Sequence, residues 1–247
     1  MKVYKFGGAS VKDANGVRNL HKIISNSNDN LVVVVSAMGK MTNALELVVN
    51  SFFNHKSDTD ILLKKFVDFH ESIISDLFGS HRSEIDNRIN ALYDKINAIL
   101  SDTPSLSYDY EYDRIVSFGE LISTTIVSCY LNYAGLKTDW IDIRDCIITD
   151  SNHRDANVNI ELSSKFTKAA FKGKKIAITQ GFIAGTTTNQ TTTLGREGSD
   201  YSAAILANLL DAESVVIWKD VPGVMNADPK LYSDVQIIPV LSYKEAI

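Results

Sequence analysis

Hydrophobic positions along the chain fall into two patterns, short continuous runs and longer segments with helical spacing. The run "LVVVV" at 31–35 is almost entirely β-branched, which is typical of a parallel strand covered on both faces. Residues 13–25 instead repeat apolar side chains at the intervals of one helix face. Because the two patterns alternate along the chain, we expect strands and helices to alternate as well.

The same two patterns predict the remaining elements. Further strands are expected at 3–6, 137–143, 175–182 and 214–220. Further helices are expected at 42–53 with Thr42 near the N-cap, at 59–100 as two helices broken near 78–83, at 112–135 as one long helix, at 158–171 and at about 199–210. This alternation favours an α/β fold, with an open, mainly parallel sheet sandwiched by helices in three αβα layers.

Composition and charge narrow the function classes. The 247 residues carry a formal net charge of −5, which argues against a nucleic-acid-binding protein. The two cysteines, Cys129 and Cys146, form no CxxC pair, so a reducing cytoplasm fits better than a disulfide framework or a zinc site. The start, "MKVYKFGGAS", shows no signal-peptide pattern, and the longest apolar runs, such as "LVVVV", are far too short to span a membrane. We therefore expect a cytoplasmic protein without nucleic-acid or membrane partners.

Four polar clusters directly follow predicted strands. They are "GGAS" at 7–10, "SAMGKMTN" at 36–43, "GFIAGTTTNQTTTLGREGSD" at 181–200 and "KDVPGVMNADPK" at 219–230. Ligands of open parallel sheets bind beyond the carboxyl ends of the strands, so we expect these clusters to meet at one edge. Within the third cluster, the threonine-rich segment 186–193 is interpreted as a mobile lid over a reacting phosphate.

The stretch "KFGGAS" has the composition of a phosphate site. Gly7 and Gly8 let backbone N–H groups approach a phosphate, and Lys5 supplies a point charge beside it. The alternative is a lysine at a strand end followed by a tight turn. Neither the Walker pattern GxxxxGK[ST] nor the dinucleotide pattern GxGxxG occurs in the sequence, which disfavours a dinucleotide-dependent dehydrogenase.

The stretch "TTTLGREGSD" at 191–200 places opposed charges just ahead of a helix. A helix that starts near Ser199 would direct free N–H groups at an anion. Arg196 offers a planar fork for a carboxylate or phosphate, and Asp200 is suited to orienting a lysine or a metal–nucleotide complex. A simple N-cap by Ser199 and Asp200 is the alternative, but it leaves Arg196 unexplained.

The remaining candidates depend on convergence of the loops. Glu120 has mostly apolar or small neighbours on its helix, so it either points into a cleft toward a cation or is an ordinary solvated glutamate. Ser36 and Thr42 contact a substrate only if the other loops meet them. The last cluster contributes candidate nucleotide ligands at Lys219, Asp220 and Lys230.

Five motifs, in order along nearly the whole chain, resemble the catalytic domain of aspartate kinases in the amino acid kinase family. They are "KFGGAS", "VVVVSAMGKMTN", "SFGELIST", "GFIAGTTTNQTTTLGREGSDYSAAILA" and "WKDVPGVMNADPK". The resemblance implies the amino acid kinase (carbamate kinase-like) fold. It also implies Mg²⁺-dependent transfer of the ATP γ-phosphoryl group to the β-carboxylate of L-aspartate. The product, 4-phospho-L-aspartate, would lead to lysine, threonine and methionine.

The resemblance also implies roles for single residues. Lys5 and Asp200 would be catalytic, the lysine stabilising the transferring phosphoryl group and the aspartate organising that lysine and the magnesium-bound nucleotide. Arg196 would clamp the α-carboxylate of the substrate, and Glu120 would pair with its α-ammonium. Further substrate contacts would come from Ser36, Thr42 and Ser199. Nucleotide contacts would come from Gly7, Gly8, Ser10, Lys219, Asp220, Met225 and Lys230.

The resemblance places residues 1–247 in one catalytic domain. Its substrate lobe would span about 1–185, and an ATP lobe would start at about 186–247. Since the family continues into the rest of the ATP lobe and into ACT regulatory domains, we expect a truncated chain without an ACT domain. The implied assembly is a homodimer.

Several positions depart from the family pattern. Glu197 replaces a glycine of the usual "GRGGSD", Ala9 a common threonine, Lys219 a frequent threonine and Met225 a frequent tyrosine. Two alternatives to an aspartate kinase stay open. One is a sister kinase with glutamate, acetylglutamate or UMP as acceptor, and the other is a non-catalytic fragment that binds a nucleotide or an amino acid.

Overall fold

Parallel strands form the central sheet of this protein, whose computed structural model describes residues 1–219, 221, 223–229 and 231–246. The strands along the chain are β1 (Lys2–Phe6), β2 (Leu31–Val35), β3 (Asp139–Ile141), β4 (Ile148–Thr149), β5 (Ile176–Gln180), β6 (Ile183–Thr186), β7 (Thr191–Thr193) and β8 (Ser214–Trp218). The central sheet has the order β3-β5-β2-β1-β8, and its neighbouring strands all pair in parallel. The carboxyl ends of these strands therefore share one edge, as the sequence predicts.

Helices cover both faces of this sheet. They are α1 (Ala14–Ser25), α2 (Met41–Phe53), α3 (Thr59–Phe78), α4 (Ser83–Ser101), α5 (Tyr108–Val116), α6 (Phe118–Tyr133), α7 (Ile160–Phe171), α8 (Gly198–Leu209) and α9 (Tyr243–Ala246). Every residue of β2 is buried, which requires a layer on each face because successive side chains of a strand point to opposite sides. Helix α6 packs on β5 and β2, and α8 packs on β1 and β8. The predicted α/β sandwich is confirmed.

Two helix predictions differ in detail from the structure. Ser117 separates α5 from α6, so the single helix expected at 112–135 is two helices in succession. Helix α2 begins at Met41 with Lys40 at its N-cap, which places Thr42 in the first turn rather than at the cap.

One apolar segment is longer than the apolar runs of the sequence indicate. The segment Tyr108–Tyr133 is long and apolar enough to span a membrane by length and composition. However, 89% of its most apolar window is buried inside the fold. This is the pattern of a helix in a protein core, whose apolar surface is already covered by other elements.

Half of the threonine-rich segment 186–193 is sheet rather than a mobile lid, and a turn joins the two strand parts. Strands β6 and β7 pair antiparallel, and β4 joins β6 in parallel, which makes a second small sheet. Thr192 and Thr193 are buried because groups inside the protein satisfy their hydroxyls. The Oγ1 atoms of Thr149 and Thr192 lie 2.7 Å apart, and Thr193 Oγ1 donates to Asp113 Oδ1 at 2.7 Å. The lid interpretation was therefore wrong for these strand residues.

Candidate active site

A cavity of about 670 Å³ opens at the carboxyl edge of the central sheet. Residues that follow β1, β2 and β5 line it, so the first three predicted polar clusters do converge. Of the predicted site residues, those at the cavity wall are Lys5, Gly8, Ser36, Thr42, Glu120, Arg196, Ser199 and Asp200. The parallel topology thus gathers side chains from both ends of the chain, as expected for open α/β sheets.

Lys5 and Asp200 form an ion pair in the cavity wall. The Nζ atom of Lys5 lies 2.5 Å from Oδ1 of Asp200, and the lysine side chain is only 10% exposed. Lys5 belongs to β1, and Asp200 lies in the first turn of α8, where the positive end of the helix dipole favours a carboxylate. The pair therefore holds an ammonium group at a defined place in the cavity, suited to an oxygen that gains negative charge.

Hydroxyl groups connect the end of β2 to α8. Ser36 Oγ donates to Ser199 Oγ at 2.9 Å, and Ser123 Oγ donates to the Ser36 carbonyl oxygen at 2.7 Å. A Cβ on Gly181 would lie 2.7 Å from the Cβ of Ser199, so the turn after β5 also touches this point. Ser36 and Ser199 are thus fixed against each other beside the Lys5–Asp200 pair.

The turns after β1 and β2 approach each other very closely at Gly8. A Cβ on Gly8 would lie 2.6 Å from the carbonyl oxygen of Ala37 and 2.7 Å from that of Gly39, too close for any other residue. Gly39 N donates to the Gly8 carbonyl oxygen at 2.9 Å. These contacts bring the glycine-rich turn to the wall of the cavity.

Glu120 is a buried carboxyl group with one free oxygen. It is 2% exposed on α6, and its Oε1 accepts a hydrogen bond of 3.2 Å from the backbone N–H of Ala37. No protein group within the described residues hydrogen-bonds its Oε2 atom. Burial raises the pKa of Glu120 to about 8, and the Ala37 N–H opposes that rise. The solvated alternative is wrong, and the carboxyl group is suited to a cationic ligand.

The loop before α8 presents Arg196 to the cavity on an unusual backbone. Gly195 has φ of 73° and Glu197 has φ of 57°, both in the left-handed region. Glycine occupies such a conformation without the steric cost that a side chain brings, which explains why Glu197 is an unexpected residue here. Helix α8 begins at Gly198 directly after this turn, so Ser199 lies inside the helix.

The other predicted nucleotide ligands do not line this cavity. Ser10 Oγ donates to the Trp218 carbonyl oxygen at 3.3 Å, Lys219 is exposed, and Met225 forms an isolated bridge with Ile237. Gly7 precedes the 3-10 turn that follows β1. Asp220 and Lys230 lie outside the described residues. Nucleotide contacts by these residues stay predictions.

Sequence reasoning missed one wall of the cavity, formed by Tyr112 and Arg154. Arg154 lies in "SNHRDANV", between β4 and α7, and no local motif marks it. The buried carboxylate of Asp113 also escaped notice, because its partners are far away in the chain. It accepts hydrogen bonds from His153, Arg154 and Thr193.

Solved structures resemble this chain over nearly all its length. Aspartokinase III of E. coli, in complex with aspartate and ADP, matches with a TM-score of 0.87 and 30% identity over 96% of this chain and 53% of that one. An aspartate kinase of Clostridium acetobutylicum matches with a TM-score of 0.81 and 25% identity over 100% of this chain and 54% of that one.

The curated relatives, like the solved structures, are aspartokinases by name. A bifunctional aspartokinase/homoserine dehydrogenase 2 of Arabidopsis thaliana is 35% identical over 99% of this chain and 27% of the relative. An aspartokinase of Chlamydia pneumoniae is 32% identical over 98% of this chain and 52% of the relative. The chain therefore spans between about a quarter and about a half of the length of these relatives.

The family model matches the whole chain as well. The model of the amino acid kinase family aligns with residues 1–247. The parallel sheet, the close turn at Gly8 and the Lys5–Asp200 pair agree with the motifs that suggested this family. The chain belongs to the amino acid kinase family.

Proposed function

We propose that this chain is the kinase domain of an aspartokinase. It would transfer the γ-phosphoryl group of ATP to the β-carboxylate of L-aspartate and so form 4-phospho-L-aspartate and ADP. The observation that carries the proposal is one cavity lined both by the Lys5–Asp200 pair and by Arg196 and Glu120. The first pair suits a phosphoryl group, and the second suits an amino acid. The names of the relatives support the same acceptor.

The acceptor end needs one cation and one anion for a zwitterionic amino acid. Arg196 supplies a planar guanidinium for the α-carboxylate. Glu120 supplies a carboxyl group whose Oε2 has no hydrogen-bonding partner among the described residues, and the α-ammonium of aspartate would provide one. Together they leave the β-carboxylate free to face the phosphoryl donor.

The transfer itself needs no general base from the protein. The β-carboxylate is ionised at neutral pH, so an oxygen of it attacks the γ-phosphorus while the bond to the β,γ-bridging oxygen breaks and ADP leaves with the electron pair. Phosphoryl transfer of this kind depends on positioning and on neutralising charge. The ammonium of Lys5, held by Asp200 at 2.5 Å, is placed to neutralise charge on the transferring group.

The donor set fits a magnesium ion that arrives with the nucleotide. The described residues contain no cluster of three or more histidine, cysteine, aspartate or glutamate side chains that would hold a metal alone. Mg²⁺ commonly binds through one or two carboxylates together with substrate phosphates and water. Asp200 would be its protein ligand, and the ion would neutralise phosphate charge. The ATP lobe at about 186–247, a cytoplasmic location and a homodimer remain parts of this proposal.

The proposal is tested by an acceptor screen with Mg-ATP. We expect ADP release that depends on L-aspartate, together with a hydroxamate when hydroxylamine traps the acyl phosphate. Glutamate, acetylglutamate and UMP serve as alternative acceptors. Turnover with one of them, and none with aspartate, would reassign the chain to a sister kinase. Binding of aspartate without any turnover would instead favour a non-catalytic binding fragment.

A further inference from the structure

Arg154 is a cation of the cavity wall that the mechanism above does not use. Its guanidinium lies over the ring of Tyr112, 4.4 Å from the ring centroid, and both residues line the cavity. Stacking on a ring holds a guanidinium in place without using its N–H donors. Among the hydrogen bonds of the described residues, this guanidinium makes one, from Nη1 to Asp109 Oδ1 at 3.1 Å. Most of its donors are therefore available to a ligand.

The backbone of Arg154 is held in place by Asp113. Arg154 has φ of 70°, a left-handed conformation that is costly for a residue other than glycine. Its N–H donates to Asp113 Oδ2 at 3.0 Å, and the carboxylate of Asp113 is fully buried. The same oxygen accepts from His153 Nδ1 at 2.9 Å and from Thr193 N at 3.1 Å. A costly conformation that is fixed by a buried carboxylate is typical of a functional position.

Arg154 and Arg196 belong to segments that pack against each other. Asp113 joins the Arg154 loop to Thr193, which also lines the cavity. A Cβ on Gly195 would lie 2.8 Å from Asp155 Oδ1, so the residues next to the two arginines are in contact. The two arginines therefore line the same cavity from adjacent segments, and we infer that both face its acceptor end.

The balance of charges in the cavity lining also favours a second guanidinium that binds the acceptor. The lining cations are Lys5, Arg154 and Arg196, and the lining acidic residues are Glu120, Glu197 and Asp200. Lys5 is already paired with Asp200, and Glu197 stands directly beside Arg196. Without Arg154, an acceptor with two carboxylates would meet one unpaired arginine, Arg196, with the negative charge of Glu197 next to it in the chain. The positive charge of Arg154 balances that negative charge.

We propose that Arg154 is a second carboxylate-binding side chain of the cavity and acts on the amino acid acceptor. This inference rests on the proposed function. In the free protein, its pair with Asp109 is exposed to solvent and therefore weak, so a substrate carboxylate can replace it at little cost. The planar fork can then bind the carboxylate through two N–H groups.

The test compares Arg154→Ala, Arg154→Lys and Asp109→Asn with Arg18→Ala as control. Arg18 is a half-exposed arginine that is likewise paired with an aspartate, Asp76, but it does not line the cavity. We expect Arg154→Ala to raise the Kd and KM for L-aspartate roughly tenfold or more, the scale of one charge-assisted contact. The KM for Mg-ATP should stay within about twofold of the wild-type value. The KM of Arg154→Lys for aspartate should lie between those of the wild type and Arg154→Ala, because lysine keeps the charge but lacks the planar fork.

Asp109→Asn distinguishes a ligand role from a structural one. If Arg154 binds the acceptor, removal of the competing carboxylate should leave aspartate affinity unchanged or tighten it. If the Arg154–Asp109 pair only supports the fold, both substitutions should weaken binding and lower the melting temperature together, and the inference falls. A selective loss of Mg-ATP affinity in Arg154→Ala would assign the guanidinium to phosphate instead. Wild-type protein that neither binds nor turns over aspartate would overturn the proposed function itself.

Discussion

The Nζ atom of Lys5 lies 2.5 Å from Oδ1 of Asp200, although the two residues come from opposite ends of the chain. The sheet order explains this contact. Strand β1 lies between β2 and β8, and α8, which carries Asp200, packs on β1. The position of the lysine side chain therefore depends on β8 and α8 as well as on β1. Its orientation should be sensitive to changes in both parts.

Lys5→Met should abolish most turnover while the fold survives. The substitution keeps a side chain of similar length but removes the charge proposed to stabilise the transferring phosphoryl group. We expect kcat to fall roughly 100- to 1,000-fold, as for other single electrostatic stabilisers. The measurement is aspartate-dependent ADP release at saturating substrates.

The matched control is Lys2→Met on the same strand. Lys2 is also paired with an aspartate, Asp29, at 2.8 Å, but it lies away from the cavity. Its loss should leave kcat within about twofold, because exposed ion pairs contribute little. Equal losses in the two variants would mean that strand β1, rather than the charge of Lys5, was disturbed.

Glu120 should release a proton when aspartate binds. Its pKa of about 8 leaves it mostly protonated at neutral pH in the free protein. An α-ammonium beside its free oxygen favours the ionised form, so binding at pH 7 should release up to about one proton. Calorimetric titrations in buffers of different ionisation enthalpy measure this number. Glu120→Gln keeps the size of the side chain and should release none from this site; proton release unchanged in that variant would contradict the assignment.

The same group makes a prediction about stability in the absence of ligand. A carboxyl group whose pKa rises on folding stabilises the protein at low pH and loses that contribution as pH increases. The free energy of unfolding should therefore decrease as pH rises from the ordinary glutamate value of 4.5 through about 8. Glu120→Gln should flatten this part of the profile, measured by chemical denaturation at a series of pH values. A parallel decrease in both proteins would mean that other groups are responsible.

Gly8→Ala should be far more damaging than Gly7→Ala. The new methyl group at position 8 would meet two backbone carbonyl oxygens at 2.6 and 2.7 Å, and backbone atoms cannot move aside cheaply. At position 7 it would meet only the end of the Lys5 side chain, at 3.7 Å, and Gly7 has an extended backbone that alanine accepts. We expect Gly8→Ala to cost about 1–3 kcal/mol of stability, as overpacking does, and Gly7→Ala well under about 1 kcal/mol. Similar unfolding midpoints for the two variants would show that this turn is not tightly packed.

Much of the fold could be predicted because its elements are marked locally. The run "LVVVV" indicates a strand buried on both faces, and β2 is one. The lid interpretation of the threonine segment 186–193 failed because a polar sequence does not reveal which hydroxyl groups find hydrogen-bonding partners inside the protein. Thr193 is buried because Asp113, on another element, accepts from both its hydroxyl and its backbone N–H.

The residues of the candidate site likewise fall into those that a local motif marks and those that distant contacts place. Lys5, Arg196 and Asp200 stand in motifs next to strand or helix ends, and the parallel topology brings them together. Arg154 stands in no such motif, and its position depends on a hydrogen bond to a distant buried carboxylate. Likewise, the burial of Glu120 follows from the packing of α6 under the turn at Ala37, which the helix sequence alone does not show.

Glu197→Gly should stabilise the protein, contrary to the usual effect of glycine. Glu197 has φ of 57° and ψ of 18° at the N-cap of α8, a conformation that costs a non-glycine residue roughly 1–2 kcal/mol. Glycine relieves that cost but gains entropy in the unfolded chain, so we expect a net stabilisation of about 1 kcal/mol. Thermal and urea unfolding measure it. The control is Glu161→Gly in the first turn of α7, where the backbone is helical and glycine should destabilise by up to about 1 kcal/mol.

The substitution should also change substrate binding, and a third variant separates the two effects. Glu197→Gln removes the negative charge next to Arg196 but keeps the strained backbone. If the charge opposes anion binding, both Glu197→Gly and Glu197→Gln should lower the KM for aspartate, whereas only the glycine variant should unfold at higher denaturant concentration. If the glutamine variant is stabilised as much as the glycine variant, the cost at this position arises from charge and not from the backbone, and the conformational explanation for the family's glycine is lost.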